Sequence, residues 1–148
     1  FRHDQVSLTS LSFFVNCGSI DENETSSGAS HFLEHMHFKG TRKRTRDQME
    51  LEIELKGATL NAYTTRDYTV FLLNLPKQDL EWGVELFSDI FLGSVYPERL
   101  FEQERRTIYS ELLECQKQEY QTNMEHSHNC SYYGHAIGRP ILGGPNQG

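Results

Sequence analysis

A short segment in the first third of the chain carries two histidines and a glutamate at a spacing that can bind a metal ion. His31 and His35 stand four residues apart, and Glu34 lies between them. Because residues three and four positions apart share a helix face, a helix here would present all three side chains on one side. Two imidazoles one turn apart suit a zinc ion, and a carboxylate beside them suits a general base. The alternative to a metal site is an amphipathic helix with two half-exposed histidines.

A catalytic zinc site needs a third protein ligand, because three protein groups typically hold the ion and one position stays open for water. The later part of the chain offers Glu104 and Glu111, which are seven residues apart and so two turns apart on one helix face. Without other information, such a pair is more often a solvated surface. Only the fold can bring these carboxylates to the histidines.

The hydrophobic periodicity predicts the elements that would position these residues. Strands are predicted at 6–16, 58–65 and 68–75, and helices at 26–38, 47–56, 80–92 and 98–131. This order is typical of an α+β fold in which helices cover one face of a sheet. The last helix is predicted to bury a stripe of Leu100, Phe101, Ile108, Leu112 and Leu113, and the basic run 42–46 is predicted to be an exposed loop.

The composition is that of a folded, acidic chain. The sequence has 148 residues, 24% of them charged and 11% aromatic, and a net charge of −7. This balance argues against disorder and against a nucleic-acid partner. Three widely spaced cysteines suggest no disulfide framework, which favours a reducing compartment. The chain starts without methionine and ends in a glycine-rich loop, so both ends look cut and we expect a fragment.

Four segments resemble the pitrilysin-type zinc peptidases, the inverzincins, in order and spacing. They read HFLEHMHFKGT, LNAYTTRDYTVF, ERRTIYSE and GRPILGGP, and together they span about residues 14–145. The resemblance implies that residues 1–148 are a single domain, the N-terminal part of one peptidase half. The family takes its third zinc ligand from a glutamate in a later helix, and Glu111 stands 76 positions after His35.

The resemblance also assigns roles to the matching residues. It implies that His31, His35 and Glu111 bind one Zn²⁺ ion. It implies that Glu34 is the general base that deprotonates the attacking water. Glu104 would support the ligands without touching the ion, as metal sites generally require.

The same resemblance implies a set of substrate contacts. Asn61 and Ala62 would lie on an edge strand that pairs with substrate backbone, although Asn61 alone is typical of a turn or cap. Glu125 would be one of two acids that bind basic substrates, but Gln121 stands at the other acidic position and weakens the expected arginine preference. His37 replaces a small residue, and we expect it to pack or face solvent rather than bind metal.

Within the family, the likeness is greatest to mitochondrial enzymes that remove presequences. The implied function is a zinc metalloendopeptidase that cuts N-terminal presequences from imported precursors, in the mitochondrial matrix or at the matrix face of the inner membrane. The implied partner is a homologous α-type subunit in a heterodimer. One alternative is a structural core subunit of the respiratory cytochrome c reductase, with a retained or vestigial peptidase site. Another is an oligopeptide-degrading enzyme outside mitochondria.

Overall fold

A computed structural model describes residues 7–144, which form two compact units, each assembled from separate parts of the chain. Unit 1 contains residues up to 14 together with 37–62 and 70–96, and unit 2 contains 15–36, 63–69 and the residues from 97 onward. The first residue of the strand predicted at 6–16 and the last residues of the terminal loop lie outside the described part. The expected single domain over 1–148 stays a prediction.

The described residues form eight main elements, in the predicted α+β order up to the last helix. Their bounds are β1 Leu8–Val15, α1 Ala29–His37, α2 Arg46–Leu55, β2 Thr59–Thr64, β3 Thr69–Pro76, α3 Leu80–Gly93, α4 Glu98–Gln116 and α5 Glu119–Ser131. The strands make one antiparallel sheet in the order β1-β3-β2. This α+β architecture confirms the predicted fold class. No helix within residues 7–144 has the length and apolarity to cross a membrane.

Unit 1 is built on the central strand β3, whose alternating residues pack against α3. Phe71 and Leu75 are each at most 2% exposed. A Cβ on Gly83 of α3 would lie 2.7 Å from a methyl of Leu75, so the helix can sit this close only with glycine there. The ring of Phe91 stacks on Phe13 of β1 at 3.9 Å and meets Phe71 edge-on at 4.9 Å. One sheet face is therefore covered by a helix, as predicted.

Unit 2 holds α1, α4, α5 and the turn that joins β2 to β3. The rings of Phe32 on α1 and Phe101 on α4 stack at a centroid distance of 5.5 Å. In the turn, the Arg66 guanidinium donates to the Ile137 carbonyl at 2.9 Å and to the Glu125 carboxylate at 3.0 Å. The turn is thus tied to both α5 and the segment that follows it.

The predicted helix over 98–131 is wrong in its length, because it is two helices separated at Lys117 and Gln118. Gln118 has an extended backbone, with φ −92° and ψ 102°. The N–H groups of Lys117 and Gln118 bond carbonyls three residues earlier, which closes α4 with a tightened turn. The sequence from 114 to 121 is almost entirely polar and has no apolar stripe to hold a continuous helix against a core.

The predicted buried stripe of the last helix is also wrong in part. Phe101 is 38% exposed and Leu113 is 44% exposed, whereas Leu100, Ile108 and Leu112 are half-buried. The buried residue of α4 is instead the charged Glu104, at 2% exposure. Leu113 stands nine residues after Glu104 and so lies nearly opposite it on the helix. The face that carries Glu104 turns inward, and Leu113 on the opposite face is exposed to solvent.

The basic run 42–46 is not simply an exposed loop. The side chain of Arg44 is 13% exposed and lies 2.9 Å from Glu52, 2.6 Å from Glu85 and 2.8 Å from Asp89. Its hydrogen bonds to these carboxylates, that to Glu85 above all, raise the pKa of Arg44 above its ordinary value. Three acids from α2 and α3 converge on one guanidinium, which is why it is buried within a run that looks solvated.

Candidate metal centre

The helix that carries the histidines is anchored at its N-terminus by Glu22. The two carboxylate oxygens of Glu22 accept hydrogen bonds from the backbone N–H groups of Gly28 at 2.6 Å and Ser30 at 2.7 Å. Glu22 is only 7% exposed, and its backbone carbonyl accepts a hydrogen bond from Arg139. A carboxylate at this end satisfies unpaired N–H groups and complements the helix dipole. The start of α1 is therefore held at Gly28, whose φ is +85°.

The side chains of His31, His35 and Glu111 converge on one point between α1 and α4. Nε2 of His31 lies 3.7 Å from Oε1 of Glu111, and Nε2 of His35 lies 3.4 Å from Oε2 of the same carboxylate. One potential ligand atom from each residue lies within 4.8 Å of the other two. Within residues 7–144, no other group of three histidine, cysteine or acidic side chains has ligand atoms this close together.

The separations between these atoms suit a tetrahedral zinc ion. With bonds of about 2.1 Å, two ligand atoms on a tetrahedral ion are about 3.4 Å apart. Burial and the neighbouring His35 lower the pKa of His31 to about 4, so its imidazole is neutral at ordinary pH. Neutral imidazole and carboxylate are the donor types that zinc takes in catalytic sites. The residues present therefore fit a zinc ion.

Glu104 lies behind His35 on the side away from the shared point. Nδ1 of His35 is 3.3 Å from Oε2 of Glu104, whose side chain is 3% exposed. A carboxylate on one ring nitrogen favours the tautomer that carries the proton there, which leaves the lone pair on the other nitrogen. Here that other nitrogen is the Nε2 that faces Glu111.

Glu34 is a buried carboxylate one position before His35 on the same helix. It is 7% exposed, and its Oε2 accepts a hydrogen bond from Oγ1 of Thr64 at 2.5 Å. Burial raises the pKa of Glu34 above its ordinary value, while the Thr64 hydrogen bond and the nearby His35 oppose that rise. Such a carboxylate exchanges a proton closer to neutral pH than an exposed glutamate does.

Comparison with known proteins places this chain in a family. The sequence pattern described as Insulinase (Peptidase family M16) matches residues 2–145. The chain belongs to peptidase family M16. This match confirms the resemblance to pitrilysin-type peptidases, and enzymes of family M16 are generally zinc-dependent.

Curated relatives of this M16 chain include β subunits of mitochondrial-processing peptidase. The chain is 41% identical over 138 residues to the subunit of Rattus norvegicus, and the match covers 93% of the chain and 28% of that protein. It is 39% identical over 138 residues to the subunit of Saccharomyces cerevisiae, with 93% of the chain and 30% of that protein covered. The chain thus spans less than a third of these relatives' length.

A solved structure supports the M16 fold. The crystal structure of a protease from Helicobacter pylori superposes with a TM-score of 0.81 at 22% identity, over 95% of this chain and 34% of that one. At this identity the likeness concerns the fold alone. The fold of this chain is therefore similar to that of the Helicobacter pylori protease.

The predicted substrate residues of the M16 chain lie in different places. Asn61 and Ala62 are in the unit 1 part of β2, and Oδ1 of Asn61 accepts a hydrogen bond from the N–H of Ala62 at 3.0 Å. Glu125 is on α5 in unit 2, where it pairs with Arg66. His37 packs beside Phe71 at a centroid distance of 5.4 Å, in agreement with the packing role expected for it.

Two residues at the site had no predicted role. Glu22 holds the start of α1, and Thr64 holds the carboxylate of Glu34. Glu22 lies in a polar loop whose sequence contains several acids and no distinguishing spacing. Thr64 belongs to the NAYT segment, but its hydroxyl gives no sign in the sequence of meeting a residue 30 positions earlier.

Proposed function

We propose that this chain contributes the metal ligands and the general base of a zinc metalloendopeptidase that removes N-terminal presequences from imported mitochondrial proteins. The observation that carries the proposal is the convergence of His31, His35 and Glu111 within 4.8 Å. Membership of peptidase family M16 and 41% identity to a β subunit of mitochondrial-processing peptidase support it.

In this proposal His31 and His35, through Nε2, and Glu111, through its carboxylate, would hold one Zn²⁺ ion. When bound, the ion would supply Lewis-acid polarisation of the scissile carbonyl and a lowered pKa for the attacking water. Glu104 would hold the ring of His35 in the tautomer and orientation that keep Nε2 on the ligand side.

Glu34 would carry the proton in both halves of the reaction. Its carboxylate would take a proton from the attacking water and return that proton to the leaving amine nitrogen. Burial favours the protonated form of Glu34, whereas the Thr64 hydrogen bond and His35 favour the ionised form. This balance would allow the carboxylate both to accept and to release a proton.

The substrate would bind along the edge of the sheet that β2 forms. β2 stands at one end of the strand order β1-β3-β2, so within the described residues one of its edges has no neighbouring strand. Asn61 and Ala62 would pair with the backbone of an extended peptide there by adding a strand to the sheet. The net charge of −7 favours basic presequences, and Glu125 would add a local acid if a substrate arginine replaced Arg66.

The partner and location follow the same relatives. We propose an α-type homologous subunit as the partner in a heterodimer, in the mitochondrial matrix. Because the chain covers 28% of the rat β subunit, the active protein would include further sequence from the same longer chain.

The proposal is tested by Glu34→Gln in the full-length protein with its α-type partner. Zinc content, measured by atomic absorption, should stay at one ion per site, because Glu34 is not one of the three proposed ligands. Cleavage of a fluorogenic presequence peptide should fall about 10²–10⁴-fold, since the proton acceptor is lost.

Glu102→Gln is the matched control, because Glu102 lies on α4 with its side chain 69% exposed. It should change neither zinc content nor cleavage. Wild-type cleavage by Glu34→Gln would remove Glu34 from the mechanism. Co-purification with respiratory subunits, with no peptide cleaved by the wild type, would favour the core-subunit alternative.

A further inference from the structure

The carboxylate of Glu34 is held by a hydroxyl from a different element. Oγ1 of Thr64, the last residue of β2, donates to Oε2 of Glu34 at 2.5 Å. Both residues belong to unit 2, and Glu34 is 7% exposed. The resemblance to zinc peptidases placed Thr64 in the edge-strand segment 61–64 but gave its hydroxyl no role, and Thr64 is not one of the three candidate metal ligands.

Thr64 is itself held in place at the mouth of the β2–β3 hairpin. Its Oγ1 lies 3.4 Å from Oγ1 of Thr69, the first residue of β3, and Thr69 donates to the carbonyl of Cys17 at 3.0 Å. The turn between them is closed by a hydrogen bond from Thr65 N–H to the Tyr68 carbonyl at 2.8 Å. The Thr64 hydroxyl is therefore fixed by covalent and hydrogen-bond constraints from both strands.

A glutamate carboxylate needs such an anchor to keep one orientation. Rotation about its last side-chain bond is broad and roughly two-fold, so the planar group has no strong preference of its own. A hydrogen bond on Oε2 selects one orientation and leaves Oε1 as the acceptor that faces elsewhere. Misplacing a reacting group by about 1 Å can cost about 10²-fold in rate.

We propose that Thr64 is a positioning residue for proton transfer by Glu34, with Thr69 keeping the Thr64 hydroxyl in place. Thr64 holds Oε2 and thereby aims Oε1 at the reacting water. This inference rests on the proposed peptidase function, although the Glu34–Thr64 contact can be tested without it.

Two substitutions separate the hydroxyl from the shape of the side chain. Thr64→Val has nearly the same volume and suits a strand, so it removes the hydrogen bond with little effect on the hairpin. Thr64→Ser keeps the hydroxyl and loses only a methyl group. Thr59→Val is the matched control, because Thr59 is an exposed threonine at the other end of β2.

The first measurement is steady-state cleavage of a fluorogenic presequence peptide by the full-length heterodimer, with zinc content determined in parallel. Thr64→Val should lower kcat about 10–100-fold with KM within about twofold of wild type. Thr64→Ser and Thr59→Val should keep kcat within about threefold, and all variants should hold one zinc ion. Wild-type kcat in Thr64→Val, or a change in KM alone, would overturn the proposal.

The second measurement is a double-mutant cycle that does not depend on cleavage. Unfolding in urea is compared for the metal-free wild type, Thr64→Val, Glu34→Ala and the double variant. Non-additive changes in the unfolding midpoint are expected, because each single substitution removes the same contact. Additive changes would overturn the proposal. If the wild type cleaves no peptide while the cycle is non-additive, the proposed function fails and the contact between Thr64 and Glu34 stands.

Discussion

Nδ1 of His35 lies 3.3 Å from a carboxylate oxygen of Glu104, whose side chain is 3% exposed. The opposite nitrogen of the same ring faces Glu111 at 3.4 Å. The imidazole of His35 therefore lies between the candidate ligand Glu111 on one side and the buried acid Glu104 on the other. A group that never touches the ion can in this way set how strongly the ion is bound.

The first prediction concerns Glu104→Gln. We expect zinc affinity to fall about 10–100-fold, because the amide no longer provides the charge that orients His35 and increases its basicity. Competition with a chromophoric chelator measures the affinity. Glu102→Gln, two positions earlier and exposed, should leave it unchanged. An unaltered affinity in Glu104→Gln would show that this carboxylate does not act on the metal site.

The second prediction concerns Glu22→Gln. We expect a loss of about 1–2 kcal/mol in the free energy of unfolding, because α1 loses a charged acceptor for two N–H groups at its start. Urea unfolding of the metal-free protein measures the change. Glu98→Gln provides the comparison, since Glu98 is an exposed acid in the first turn of α4. Its expected cost is below about 1 kcal/mol, and equal costs at both positions would contradict the capping role.

The third prediction is a pH dependence due to His31. The pKa of His31 in the folded chain is about 4, below the ordinary value of 6.5, because the imidazole is buried. The unfolded chain therefore binds a proton at pH values where the folded chain does not. The contribution of neutral His31 to the free energy of unfolding is therefore complete above pH 6.5 and is lost as the pH falls from 6.5 toward 4.

Chelator-treated wild type and His31→Gln are compared by urea unfolding at two pH values. Between about pH 7.5 and about pH 5, the wild type should lose about 2 kcal/mol more than His31→Gln. His126→Gln is the control, since His126 is an exposed histidine of α5. It should lose as much stability as the wild type. Identical losses in wild type and His31→Gln would mean that His31 is not buried in its neutral form.

The fourth prediction concerns unit 1. Arg44→Met should destabilise the fold by about 3–5 kcal/mol, because it leaves the carboxylate of Asp89, 2% exposed, without its cation. Arg46→Met is the matched control in the same basic run. The pair between Arg46 and Glu50 is exposed, so its loss should cost below about 1 kcal/mol. Thermal and urea unfolding measure both, and a similar small effect at Arg44 would disprove the buried network.

The local part of the site could be predicted from the sequence, because helical spacing alone puts His31 and His35 on one side. Glu111 could not be chosen in that way. A glutamate on a polar helix is ordinarily solvated, and its approach to the histidines depends on how α4 packs on α1. Helical spacing alone did not distinguish Glu111 from Glu104 as the third ligand, and the resemblance to the pitrilysin-type peptidases indicated Glu111.

Two further departures from the sequence-based predictions have different origins. Composition describes 42–46 as a charged loop, yet acids from two helices bury Arg44. Helical propensity has no strong breaker near Gln118, yet the polar segment ends α4 there. The burial of Arg44 depends on partners that are distant in the sequence, so a window along the chain cannot reveal it, whereas the end of α4 follows from the polar stretch itself.

The three candidate ligands differ widely in their contact with solvent. The side chains of His31, His35 and Glu111 are 8%, 22% and 40% exposed. An ion arriving from solution would therefore meet the carboxylate before the imidazoles, and a departing ion would leave past it. The two imidazoles are the more buried part of this candidate site and the carboxylate of Glu111 is the more exposed part, so substitutions on α4 are expected to alter the rate of zinc exchange more than substitutions on α1.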